Sequence, residues 1–259
     1  MPKRHLRRLS KMITKDVIRE LKSSRTHEFS RSLPGRKKVY VWPPDLKRDE
    51  DQDESVADFK VRLNVLAMKA DGMFSIDGLA GDEDGEPCIW ITLSWSRDPT
   101  SYRALYHELV GVIRHELEHL STISPFMMMG PDQADLYGEE LPVSGKILHI
   151  INRRRRLFGV KDHPRALWAS EELARAARAT SDMSDYIMSY DEIDPFCRGF
   201  YMQACSSRRP YDEVVSDYLD FFRKDGQITE QGARIAHEWL ILWAKDIFPK
   251  IKLSLKAPP

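Results

Sequence analysis

His115-Glu116-Leu117-Glu118-His119 places two imidazoles four residues apart, each with a carboxylate beside it. On a helix, residues i and i+4 share a face, so both side chains can reach one cation. The preceding residues support a helix. Leu105, Leu109, Val112, Ile113, Leu117 and Leu120 fall near helical spacing, and Asp98-Pro99-Thr100-Ser101 supplies a start signal. The pattern therefore predicts a mid-helix histidine pair, which is half of a zinc site. An H-E-x-x-H arises by chance in on the order of one to two per cent of chains with this content of His and Glu, so chemistry outweighs accident.

Over roughly Ile113 to Leu120 the chain resembles the zincins, metallopeptidases that carry H-E-x-x-H on their active-site helix. The resemblance implies that His115 and His119 bind Zn2+ and that Glu116 is the general base. Elementary chemistry agrees. Neutral imidazole suits zinc, three protein ligands leave a fourth position for water, and the metal lowers that water's pKa toward roughly 7. The same five residues also read as the inverted motif H-x-x-E-H, in which Glu118 would be the base. On an ideal helix Glu116 and Glu118 lie about 80° to either side of the histidine midpoint, so spacing leaves both open. The resemblance favours Glu116.

A third ligand is needed. Metzincins continue to a Gly and a third His, at positions that here hold Thr122 and Pro125. SprT-like proteases place a His soon after the helix, whereas the next His here is His149. A distal carboxylate remains. The segment Tyr186 to Phe196 is similar to the Tyr…Glu-Ile-Glu-Ala pattern of small H-E-x-x-H proteins, some phage-encoded, and that similarity implies Glu192 as ligand. Pro195 stands at the Ala position, and Asp194 as N-cap with Pro195 at the first helical position would start the next helix beyond Glu192. Asp191, Asp194, Glu171 and Glu172 are the rivals. For an oxyanion donor the candidates are Tyr186, Tyr190, Tyr201, Arg198 and His163, none singled out by spacing. His107 is about 12 Å along the helix from His115 and reads as a surface or packing histidine.

The chain has 259 residues, 42% hydrophobic and 31% charged, enough for one sizeable core. No stretch is long enough to span a membrane. Net charge is zero, which gives the molecule as a whole no electrostatic reason to seek nucleic acid. Cys88, Cys197 and Cys205 are an odd number without a C-x-x-C, arguing for buried thiols in a reducing compartment and against a disulfide framework. No apolar core of a secretory signal is present, so a cytoplasmic location is expected. Lys3, Arg4, Arg7, Arg8 and Lys11 precede the first acid, Asp16, while Leu6, Leu9, Ile13, Val17 and Leu21 repeat with helical spacing. Residues 1–35 thus read as a basic N-terminal helix or tail.

Lys38 to Trp42, Phe59 to Ala67, Met73 to Ile76 and Cys88 to Ser94 alternate as strands do, and the acidic, Pro-rich stretch 42–54 reads as a loop. Gly81 to Pro87 reads as a solvated turn and lacks calcium-loop spacing. In zincins an edge strand borders the cleft and pairs with substrate, so the resemblance marks Ile89 to Ser94 as that edge. Residues 122–185, with Met127-Met-Met-Gly-Pro131 and Arg153 to Arg156, form a lid or insertion. An arginine run is usually a solvated helix end, and no nucleic-acid motif or aromatic interleaving accompanies this one, so nucleic acid is not expected as a partner. Helices are expected over Phe196 to Ala204, Tyr211 to Arg223 and Thr229 to Phe248, the last with Trp239, Leu240, Leu242, Trp243 and Ile247 buried.

The fold expected is α+β and zincin-like, a small twisted sheet followed by the active-site helix and a mainly helical C-terminal part. Residues 36–259 would form one metallohydrolase domain, with 186–259 a helical subdomain. The function implied is zinc-dependent hydrolysis of a protein or peptide. The alternative is a structural or binding protein, viral in one version, whose zinc stabilises the fold. The two differ at the fourth coordination position, open to water in an enzyme and closed by protein in a structural site.

Overall fold

The computed structural model describes residues 2–35, 37–41, 55–68, 74–84, 86–96, 98–122, 183–188 and 192–254. Its chain divides into two units, one of Met1–Leu136 with Arg198–Arg208, the other of Tyr137–Cys197 with Arg209–Pro259. The Met127–Pro131 run, His149, Arg153–Arg156, His163, Glu171, Glu172, Tyr190 and Asp191 lie outside the described residues.

In the first unit, helix α1 (Pro2–Ser23) buries the apolar stripe its sequence announces. Leu6, Leu9, Ile13, Val17 and Leu21 are all at most 5% exposed, and they join one core with the sheet and with helix α2 (Tyr102–Thr122). The strands are β1 (Phe29–Ser32), β2 (Lys37–Val41), β3 (Ser55–Ala67), β4 (Phe74–Glu83) and β5 (Glu86–Trp95). β3 is long enough to pair antiparallel with both β2, from Val41↔Ser55 to Lys37↔Phe59, and β1, from Ser32↔Arg62 to Phe29↔Val65. β5 runs parallel to β3, with Val61 opposite Ile89 and Leu63 opposite Ile91, and antiparallel to β4. The period-two side chains Val61, Leu63, Val65, Ile89, Ile91, Leu93 and Trp95 are buried, whereas Arg62, Asn64, Trp90, Thr92 and Ser94 between them are half-buried. Each fully buried Leu or Ile in this layer contributes about 1.5–3 kcal/mol through its apolar area.

One expectation is overturned here. The order β1-β3-β5-β4 puts Ile89 to Ser94 in the interior of the sheet, with β4 as the edge. Alternation reports which face of a strand is buried and says nothing of its neighbours, so edge and centre look alike in sequence. β4 also extends to Glu83, consuming part of the expected turn, and Asp84 makes the hairpin bend with φ 56°.

β5 hands the chain to α2 through a fixed junction. Trp95 Nε1 donates to Ser101 Oγ (2.8 Å), and Ser101 Oγ donates to the carbonyl of Asp98 (2.7 Å). The Asp98 carboxylate accepts from Thr100 N (2.8 Å), so the start signal acts as expected. Of the three cysteines, Cys88 is buried in β5, where burial pushes its thiol up to about 11, and Cys197 is buried too. Cys205 is exposed, contrary to the expectation of three buried thiols.

The second unit is helical. It holds α3 (Met183–Ile187), the start of α4 (Ile193–Ser207), α5 (Tyr211–Lys224) and α6 (Glu230–Ile247), while Arg198–Ser207 of α4 belong to the first unit. On α6, Trp239, Leu240 and Trp243 are buried, but Leu242 is 45% exposed, and Ile235, Ala236 and Ala244 complete the stripe instead. Gly226 (φ 72°) turns the chain between α5 and α6. The architecture is thus mixed α+β, a five-stranded sheet with helices. No helix among the described residues is long and apolar enough to cross a membrane.

Candidate metal centre

α2 buries nearly its whole circumference, and each side meets a different neighbour. Leu105, Leu109, Ile113 and Leu117 enter the sheet core with no exposure. His115 and His119 share a half-buried flank with Nε2 atoms 3.0 Å apart and ring centroids 4.8 Å apart. Two nitrogens bound at about 2.0–2.1 Å around a tetrahedral zinc stand roughly 3.3 Å from each other, so the pair fits such an ion after a small ring rotation. Glu116 is buried, with Oε1 3.8 Å from His115 Nε2. Among the described residues, His115, Glu116 and His119 form the one cluster able to hold a metal, with ligand atoms within 4.8 Å of one another.

The two carboxylates of the motif have separate surroundings. Glu118 is buried against two guanidinium groups, an ion pair with Arg114 one turn back on α2 and another with Arg198 of α4, whose Nε is 3.2 Å away. Glu116 instead points at the edge strand. A Cβ added to Gly78 of β4 would stand 2.6 Å from Glu116 Oε1, 2.9 Å from its Cγ and 2.7 Å from Val112 Cγ1. Only a glycine leaves room for this carboxylate between helix and sheet. Gly78→Ala should therefore cost about 1–3 kcal/mol by overpacking. Urea unfolding of Gly78→Ala alone and with Val112→Ala checks it, since the second change reopens the space and should recover part of the loss; strict additivity would sink the assignment.

The third side of α2 meets Arg198–Ser207 of α4. A Cβ on Gly199 would be 2.9 Å from the Gly111 carbonyl and 3.3 Å from His115 Cβ, and one on Gly111 would be 3.1 Å from the Gly199 carbonyl. The helices cross backbone to backbone directly behind His115. His107 is half-buried with Nδ1 2.5 Å from Ser206 Oγ, and burial followed by the charge of Arg103 lowers its pKa. It is a packing residue, as its distance along the helix predicts.

Glu192 lies in the second unit as the residue before α4, its carbonyl accepting from Phe196 N (2.9 Å). The helix starts at Ile193, two residues earlier than an Asp194 cap would place it. Pro195 sits in the first turn, where its missing N–H is not needed. Asp194, a rival ligand, accepts from Trp243 Nε1 (2.6 Å). Of the oxyanion candidates, Arg198 is engaged by Glu118, Tyr201 is half-buried, and Tyr186 is exposed with its ring edge-on to Phe196. Sequence reasoning missed Gly78, Gly111, Gly199 and Arg198's pairing, because each is a contact between segments far apart in the chain.

Comparison with protein-family models, curated proteins and solved structures finds no match.

Proposed function

We propose that this chain is a zincin-like zinc metallopeptidase in which His115 and His119 hold the metal, Glu192 supplies the third ligand and Glu116 is the general base. The observation that carries the reading is the division of labour between the two motif carboxylates. Glu118 is neutralised by Arg114 and Arg198, whereas Glu116 stands beside the imidazole pair. A carboxylate committed to two ion pairs is not free to turn toward a metal-bound water, so the forward motif is favoured over the inverted one.

Bound at this pair, zinc would polarise the scissile carbonyl and acidify a water toward neutral pH. The chain's own groups do the rest. Both histidines act as neutral ligands, Glu116 takes the proton of the attacking water and returns it to the leaving amine, and the buried setting over Gly78 holds its carboxylate in one place. β4, the edge strand packed beside α2, takes over from Ile89 to Ser94 as the strand an extended peptide would join. The support for Glu192 is its sequence segment.

Metal analysis of purified protein tests the reading. About one zinc per chain is expected, lost in His115→Ala and in His119→Ala, because either change leaves too few ligands for a stable site. Among Glu171, Glu172, Asp191, Glu192 and Asp194, replacement of Glu192 by Ala should weaken zinc most. Zinc retained in both histidine variants would exclude the site, and a larger loss at another acid would move the third ligand there.

A further inference from the structure

The first helix carries a run of positive charge that the fold leaves without an acidic counterpart. Arg4, Arg7, Arg8 and Lys15 are exposed and Lys11 is half-buried. Arg4 with Arg8, Arg7 with Lys11 and Lys11 with Lys15 are i,i+4 neighbours, a spacing at which like charges destabilise a helix. Arg4 also sits in the first turn of α1, where the backbone dipole favours anions, and that turn holds no acid. The first two acids of the helix are committed elsewhere. Asp16 binds Arg19 (3.1 Å) and Lys37 (2.9 Å), and Glu20 binds Arg31 (2.9 Å). Among the described residues no carboxylate pairs with Arg4, Arg7, Arg8, Lys11 or Lys15. A helix that breaks two electrostatic rules on its exposed side, while obeying the hydrophobic pattern on its buried side, is built to meet an external polyanion.

The kind of polyanion follows from what else α1 offers. Its apolar stripe is consumed by the core, so it has no free face to bury in a bilayer as interfacial helices do. It contains no Phe, Tyr or Trp on which unpaired bases would stack, and its one imidazole, His5, is hydrogen-bonded to the Lys38 carbonyl. From Arg4 to Lys15 the helix rises about 16 Å, close to five base-pair steps at about 3.4 Å each. We propose that this face of α1 binds the phosphate backbone of double-stranded nucleic acid without reading its bases. Sequence alone argued against such a partner. What the structure adds is the unneutralised, rigidly mounted stripe. The inference does not depend on the metal centre.

The test is fluorescence anisotropy of a short labelled mixed-sequence DNA duplex titrated with the full chain at several salt concentrations. Five phosphate contacts predict that log K falls with log salt at a slope of about −4 to −5. Arg4→Gln/Arg8→Gln/Lys15→Gln should flatten the slope by about 3 and weaken low-salt binding at least tenfold, with circular dichroism and unfolding midpoint unchanged. Should the triple variant not fold, each single Gln substitution should flatten the slope by about 1. No duplex binding by the wild type, an unaltered slope in the variants, or binding to phosphatidylserine vesicles in place of the duplex would each overturn the proposal.

Discussion

Glu116→Gln should leave zinc content at about one per chain and the unfolding midpoint nearly unchanged, while lowering turnover by about a hundredfold or more. The magnitude is the usual contribution of a positioned acid or base. The amide keeps the size and hydrogen-bonding reach of the carboxylate over Gly78 and removes its basicity. The assay is cleavage of an unstructured protein or a peptide library, with zinc measured on the same samples. Zinc lost together with activity would make Glu116 a ligand. A well-folded, zinc-loaded wild type without zinc-dependent cleavage across a broad panel would instead favour the structural-site alternative.

Glu118→Ala should produce a different failure, a loss of about 3–5 kcal/mol in folding stability. Removing one member of a buried ion pair leaves the other short of countercharge, and here Arg114, at 4% side-chain exposure, would lose its ion pair with Glu118. Arg198→Ala should cost less, since Arg114 would still neutralise Glu118. Chemical denaturation of the three proteins measures both effects, and equal stability of Glu118→Ala and wild type would show that water replaces the pair. The two glutamates, only two residues apart, would then separate chemistry from architecture. Loss of turnover at full stability marks Glu116, and loss of stability marks Glu118.

Periodic features were legible in the sequence. The stripe of α1 was readable because burial on a helix repeats with the backbone, and so were the alternation of β3 and β5 and the capping signal at Asp98 that precedes α2. Strand order was not. β4 looks weak alone, with Gly78 and Gly81 interrupting it and Asp77, Asp82 and Glu83 along it, and its pairing with β5 sustains it as far as Glu83. The direction of the motif was equally closed to spacing, since Glu116 and Glu118 are mirror-related about the histidines. A glycine on β4 and an arginine on α4 distinguish them, and neither has a sequence signature linking it to α2.

β5 comes last among the strands yet lies between β3 and β4. The β4–β5 hairpin can close across its bend at Asp84 without help from the rest of the sheet, and β1 and β2 likewise meet β3 without it. What joins these two half-sheets is a single parallel seam, Lys60↔Cys88 through Ala67↔Trp95, whose partners are distant in the chain. Its partners lie farther apart in the chain than those of β2–β3 or β4–β5, so closing the seam costs more loop entropy than either of those pairings. Because the histidine-bearing helix is anchored through Trp95 at the end of the seam, the histidine pair is fully mounted only once the seam has closed, and a chain caught before that holds two open strand edges and a loosely mounted helix.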